Sequence, residues 1–119
     1  MSNNIDILGK FIMENLRDVS IELCNGLLES KYESPGHKDI QEKLSRFTSE
    51  EKEVLKELIT YCIDGGINDF LYRLDSESRN KGTLKVLING SETNELTEGL
   101  SKELYGENGW KQKFSQFNE

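Results

Sequence analysis

Residues 61–75 read Tyr61-Cys62-Ile63-Asp64-Gly65-Gly66-Ile67-Asn68-Asp69-Phe70-Leu71-Tyr72-Arg73-Leu74-Asp75, a helical pattern whose apolar stripe changes side at a double glycine. With about 100° per residue, the apolar residues before the glycines cluster on one side: Val54, Leu55, Leu58 and Cys62. Those after them cluster on a side rotated by about a third of a turn: Ile63, Ile67, Phe70, Leu71 and Leu74. We therefore expect a helix that bends at Gly65-Gly66 or is buried on two sides, and that forms the spine of the fold.

A capping box marks the start of this helix. The Thr48 hydroxyl is placed to accept from the amide of Glu51, whose side chain reaches back to the Thr48 amide. The two glycines inside the helix cost about 2 kcal/mol relative to alanine. A kink or a close approach by another backbone is the usual reason for such glycines.

The N-terminal part of the chain predicts an amphipathic helix over about residues 4–30, with apolar residues at spacings of three and four: Ile5, Leu8, Ile12, Leu16, Val19, Leu23 and Leu27. Ser34 is placed to cap a following helix, and Pro35 suits its first position. This short helix would carry three apolar residues on one face: Ile40, Leu44 and Phe47.

The segment after the long helix holds the one β-like pattern. Thr83–Ile88 alternates like a strand, and Asn89-Gly90 is a strong tight-turn signal. With the polar return segment, this predicts a hairpin at about residues 83–96.

The C-terminal part predicts two more helices. One covers about residues 95–105 and is interrupted or begun near Gly99. The last carries an aromatic stripe of Trp110, Phe114 and Phe117, and we expect Trp110 with Phe114 to hold the tail on the bundle. The predicted fold class is mainly α: a single-domain helical bundle over residues 1–119 with one short β-hairpin.

Length and composition place the chain among folded, cytoplasmic, single-domain proteins. It has 119 residues, of which 34% are hydrophobic and periodic in sequence. No apolar run approaches the ~20 residues that span a bilayer, and Met1–Asp6 does not resemble a secretory signal. Cys24 and Cys62 stand alone on apolar helix faces, so we expect reduced, packed core thiols.

The formal net charge of −7 is more useful for excluding classes of binding partner than for identifying one. Nucleic acids and anionic membranes both require a positive surface, so we expect neither as the primary partner. The charge is compatible with a basic protein partner.

No arrangement of residues predicts catalysis, a cofactor or a metal. His37 is the only histidine and follows Pro35-Gly36, where we expect a solvated surface position. Asp64, Asp69 and Asp75 do not follow a calcium-loop pattern. We expect them to be solvated helix carboxylates, some paired with arginines: Arg73 or Arg79. The interpretation is a protein that is not an enzyme.

One arc of the long helix combines tyrosines with acidic and amide side chains, a mixture typical of protein-recognition surfaces. Its members are Tyr61, Asp64, Asn68, Tyr72 and Asp75. The alternative is that both tyrosines pack with their rings half covered and their hydroxyls in water.

The second half of the chain resembles small acidic bacterial proteins of uncharacterised function. The resemblance covers about residues 60–117 and consists of Asp64-Gly65-Gly66 with Asp69-Phe70-Leu71-Tyr72, Ile88-Asn89-Gly90, Gly99-Leu100, and Gly106-Glu107-Asn108-Gly109-Trp110 with Lys113-Phe114-Ser115. Some proteins of this size and charge are immunity proteins, which neutralise a toxin made by the same or a competing cell. By analogy of type, the resemblance implies such a role, but no functional residue.

Two functions therefore stand as hypotheses. The first is a cytoplasmic protein-binding module, in its most concrete form an immunity or inhibitor protein that blocks a basic toxin or enzyme. The second is a self-associating structural or regulatory module that forms a homodimer.

Overall fold

The N-terminal helical segment contains one extra residue that keeps a single row of side chains facing the core. The structure is a computed structural model that describes residues 4–118, and so leaves out part of the Met1–Asp6 segment. It begins with α1 (Asn4–Ile12), a π-helical turn (Met13–Arg17) and α2 (Asp18–Leu28). The buried row steps by four residues: Ile5, Gly9, Met13, Arg17 and Ile21. In an α-helix, residues four apart are rotated by about 40° relative to each other, so such a row gradually turns away from the core. The π turn holds more residues per turn and reduces this rotation.

Helix α3 (Pro35–Leu44) follows a turn and packs against α2. Ser34 and Pro35 take the predicted N-cap and first positions. The buried Gln41 side chain accepts from the Tyr32 amide (2.9 Å) and donates to the Tyr32 carbonyl (3.0 Å). His37 is half-buried with its ring edge-on to Tyr32, so the expectation of a solvated histidine is wrong in part.

Helix α4 (Ser49–Ser76) runs unbroken through the glycine pair. The predicted capping box of Thr48 and Glu51 is confirmed, with hydrogen bonds of 3.1 Å and 2.8 Å. A Cβ on Gly65 or Gly66 would meet no described atom within 4 Å, so the expected close approach of another backbone is absent. Burial of α4 on two sides is also wrong, because Val54, on the apolar side that precedes the glycines, is 64% exposed.

A two-stranded hairpin is present and shorter than predicted. After α4, a second π-helical turn (Glu77–Lys81) leads towards β1 (Leu87–Ile88), which pairs antiparallel with β2 (Ser91–Glu92). Asn89 and Gly90 both have positive φ, 52° and 85°, which is the pattern of a type I′ turn.

The C-terminal segment is divided into short helices. They are α5 (Thr93–Leu96), a 3₁₀ turn (Leu100–Glu103) and α6 (Trp110–Phe114). The predicted interruption near Gly99 is confirmed, because the chain is extended at Thr97 and Gly99, and the part after it is a 3₁₀ turn instead of an α-helix. Phe117 lies beyond the end of α6.

Trp110 fixes the C-terminal segment onto the N-terminal helix. Its side chain is fully buried, and a Cβ on Gly9 would overlap the indole ring. Phe114 packs against the same core, which confirms the predicted attachment of the tail. The core around Trp110 contains residues from most elements: Ile5, Met13, Ile67, Leu71, Ile88, Leu100 and Leu104. The fold is mainly α with one hairpin, as predicted.

The two cysteines differ in environment. Cys24 is buried, and burial raises the pKa of its thiol despite the opposing effect of Lys56. Cys62 is exposed, so the prediction that it is a core thiol is wrong. Within residues 4–118, no helix combines the length and the apolar character needed to cross a membrane.

Candidate functional site

An exposed stripe runs along the outer face of α4. Its residues are spaced by four and three in alternation, which is the spacing that meets a partner helix in a coiled coil. The exposed fractions are 64% for Val54, 54% for Leu58, 78% for Tyr61 and 65% for Tyr72. We call these residues the α4 stripe: Val54, Leu58, Tyr61, Gly65, Asn68 and Tyr72.

Gly65 makes a gap in the middle of the α4 stripe. It follows Tyr61 by one turn, and the space that a side chain would fill there is open. Gly66 is also open but lies about 100° further round the helix. Val54, Leu58 and Tyr61 are all exposed, so this side of the first half of α4 faces solvent.

Two acidic side chains flank the α4 stripe, one on each side. Glu57 and Asp69 are exposed and make no ion pair within the described part of the chain. Arg73, also exposed, lies beside Asp69 on the following turn. The apolar stripe therefore has a mixed border in which acidic groups predominate.

The five residues predicted to form a recognition arc are divided between surface and interior. Tyr61 and Tyr72 are exposed and Asn68 is half-buried. Asp64 and Asp75 turn inward, because they lie on the edge of the arc that the C-terminal segment covers. The arc is therefore not one exposed surface, and the expectation of solvated carboxylates is wrong for Asp75.

Asp64 belongs to a polar network built around a buried arginine. Arg17 is 1% exposed and donates to both carboxylate oxygens of Asp64, at 2.6 Å and 3.1 Å. It also donates to the Ser115 hydroxyl (2.8 Å) and to the Phe117 carbonyl. Such a bidentate pair is geometrically specific, and it ties the π turn, α4 and the C-terminal tail together.

Two further contacts complete this network. The Ser115 hydroxyl donates to Asp18 (2.5 Å), whose other oxygen accepts from the Gln116 amide (3.0 Å). The Tyr105 hydroxyl donates to the Asp64 carbonyl at 3.2 Å. Burial raises the pKa of Tyr105, and the charge of Asp64 adds to this effect. All of these groups are used within the chain, so the network has a structural role.

Asp75 has a different structural role. One carboxylate oxygen accepts from the Leu100 amide at 2.5 Å, where the 3₁₀ turn begins. The other lies 3.8 Å from Arg79 Nε, an ion pair that is too long to be a hydrogen bond. The expected pairing with Arg79 is therefore present, at the edge of the core.

The α4 stripe and the buried arginine both carry sequence signals that the predictions above do not use. Val54 and Leu58, expected on a buried side, share with Tyr61, Gly65 and Tyr72 the spacing of a partner-binding stripe. Arg17, which belongs to the structural network, continues the four-residue steps of the buried row. No group of three or more His, Cys, Asp or Glu side chains within residues 4–118 is placed to hold a metal ion.

Comparison with known proteins identifies no relative of this chain. No family model, curated protein or solved structure has significant similarity to the chain.

Proposed function

We propose that this chain is a non-enzymatic protein-binding module whose α4 stripe receives a helical segment of a basic protein partner. The observation that carries the proposal is the exposed stripe itself. Val54, Leu58, Tyr61 and Tyr72 are each more than half exposed, on a helix that buries Ile67 and Leu71 on another side of its second half.

The spacing of the stripe favours a helix as the bound element. A helix places side chains at intervals of three and four residues, so its own apolar stripe meets that of α4 along several turns. The gap at Gly65 accepts a large side chain of the partner between Tyr61 and Tyr72. Tyrosine supplies buried contact area at low cost in conformational entropy.

Charge favours a basic partner. Glu57 and Asp69 flank the stripe without ion pairs of their own in the described chain, and the chain carries a net charge of −7. Lysine or arginine residues beside the partner's apolar stripe would meet these carboxylates and speed association. The concrete form that we favour is a cytoplasmic bacterial immunity or inhibitor protein that blocks a basic toxin or enzyme.

The test is affinity capture from cytoplasmic lysate with matched variants. Leu58 and Leu84 are exposed to nearly the same extent, 54% and 55%, but Leu84 lies outside the α4 stripe. We expect wild type and Leu84→Ser to retain the same basic protein. Leu58→Ser combined with Tyr61→Ser should retain at least tenfold less. Equal retention by all three proteins, or no specific retention by wild type, would overturn the proposal.

The inhibitor form is tested on the captured partner. Wild type, added at one molar equivalent, should abolish the partner's activity, and the Leu58→Ser, Tyr61→Ser variant should not. A partner that binds through the stripe and keeps full activity would leave a binding module and exclude an inhibitor.

A further inference from the structure

We infer that two copies of this chain associate as an antiparallel, two-fold symmetric dimer through the outer side of α1 and α2. An apolar row on that side steps by four residues, and its apolar members are 41–64% exposed. The outer row consists of Ile7, Phe11, Asn15, Val19 and Leu23.

The geometry of the outer row follows from the buried one. Each of its members lies two residues after a member of the buried row, which is a rotation of about 200°. The π turn that keeps the buried row facing the core therefore keeps the outer row facing solvent. Beyond Leu23 the exposed row ends, because the next step of four reaches Leu27, which is half-buried.

The occupant is a second copy, because the apolar positions of the outer row are symmetric about Asn15, although the residue types differ. Ile7 and Leu23 lie eight residues from Asn15, and Phe11 and Val19 lie four residues from it. A two-fold axis through Asn15 therefore places apolar residues against apolar residues along the whole row. Such an isologous pairing is the commonest form of association between identical chains.

Asn15 suits the position on the axis. Its amide nitrogen donates to the Phe11 carbonyl at 3.1 Å. Its side-chain oxygen accepts no hydrogen bond from residues 4–118, so it can accept one from the second copy. A single polar asparagine in an apolar helix interface is a known device for fixing register. Here it would exclude pairings that slide by one or two turns.

Charges at one edge of the outer row agree with this pairing. In an antiparallel pair centred on Asn15, Lys10 of one copy lies about two residues, or 3 Å, along the axis from Glu22 of the other. Glu22 uses one oxygen to accept from Gln116 (2.9 Å), and the second oxygen is available. The Glu14 carboxylates of the two copies lie close together near the axis and repel each other. Glu14→Gln should therefore strengthen dimerisation.

The size of the contact predicts weak association. From Ile7 to Leu23 the row is about 24 Å long, and one helix pair of that length buries less than the roughly 800 Å² per partner of a standard interface. We expect dissociation in the micromolar range. The outer row is separate from the α4 stripe, so the dimer and the binding of another protein can fail independently.

Cysteine cross-linking tests the axis directly, in a Cys62→Ser background that removes the exposed thiol. Asn15→Cys should form a disulfide-linked dimer under mild oxidation. Ile7→Cys alone should not, but a mixture of Ile7→Cys and Leu23→Cys proteins should form the mixed dimer. Self-linking of Ile7→Cys would indicate a parallel pair, and linking no greater than that of a Leu84→Cys control would indicate no pair. Either result would overturn the inference.

Sedimentation equilibrium between about 1 and 500 µM gives an independent measurement. Phe11 and Val54 are both 64% exposed, so Val54→Glu is a matched control for Phe11→Glu. We expect Phe11→Glu to weaken the dimer at least tenfold and Val54→Glu to leave it unchanged. Lys10→Glu should also weaken it, and adding Glu22→Lys should restore it. A monomeric wild type, or a dimer lost only in Val54→Glu, would refute the outer row as the interface.

Discussion

The glycine pair of α4 provides the sharpest test of the fold and of the α4 stripe together. Gly65 and Gly66 lie inside a continuous helix, have no positive φ, and have open space where a side chain would begin. Alanine is therefore compatible with both positions. Replacing an exposed glycine inside a helix by alanine is worth about 1 kcal/mol, because alanine loses less backbone entropy on folding.

This free energy gives a measurable shift in melting temperature. With about 2.1 cal/mol/K per residue, a 119-residue chain has an unfolding entropy near 250 cal/mol/K. One kcal/mol then raises Tm by about 4 °C. We expect Gly65→Ala and Gly66→Ala each to give this increase in a thermal melt followed by circular dichroism. A decrease in either variant would mean that the position is not open, and would refute the reasoning.

Binding should separate the two variants, although stability does not. Gly65 is on the α4 stripe, where a methyl group would fill the gap between Tyr61 and Tyr72. Overpacking of a fitted contact costs about 1–3 kcal/mol, so Gly65→Ala should weaken partner binding by about 5-fold to 150-fold. Gly66→Ala points away from the stripe and should bind like wild type. Equal affinities for both variants would show that Gly65 is not part of the contact.

Three other measurements test the interior. Arg17→Met should lower the free energy of unfolding in urea by about 3 kcal/mol, since it strands Asp64 without its partner; an unchanged midpoint would show that the pair carries no stability. Ellman's reagent should titrate only Cys62 in the native protein and Cys24 as well after denaturation, since burial also raises the pKa of Cys24; fast reaction of both in the native state would contradict this. Burial, and then the charge of Asp64, raise the pKa of Tyr105 above its ordinary value of 10.0, while Arg17 opposes this shift. The neutral Tyr105 hydroxyl therefore stabilises the folded state below pH 10, and this stabilisation should be lost as the pH rises through the higher folded pKa. Tyr105→Phe should remove that part of the alkaline loss of stability, and identical alkaline unfolding of the two proteins would refute it.

The sequence predicts this fold well wherever a local signal suffices. The capping box of Thr48 and Glu51 and the turn at Asn89-Gly90 each involve residues at most three apart, and both are present. The break near Gly99 in the predicted helix over residues 95–105 is also present, but the contact that holds the chain after it depends on a distant residue. Asp75 accepts from the Leu100 amide across 25 positions of the chain, and no pattern near Leu100 reveals this.

The candidate site shows the same division. Periodicity places Tyr61 and Tyr72 on one arc with Asp64 and Asp75, and the angles about the helix are right. It does not reveal which edge of that arc another segment covers. The C-terminal segment supplies that cover through Tyr105 and Leu100, which lie far along the chain from Asp64 and Asp75, their partners in α4. The tyrosines are therefore exposed and the carboxylates are not.

The N-terminal helix explains why an apolar pattern alone can mislead. A search at intervals of three and four residues selects Leu16, Val19 and Leu23, which are exposed, and passes over Gly9 and Arg17, which are buried. Gly9 is buried because Trp110 needs its space, and Arg17 because Asp64 neutralises it. Gly9 and Arg17 thus hold two of the five inner positions, while large apolar residues such as Phe11 and Val19 hold outer ones. A helix of this kind gains little from burial of its outer side within one chain, which is the physical reason to expect that side to be covered by another.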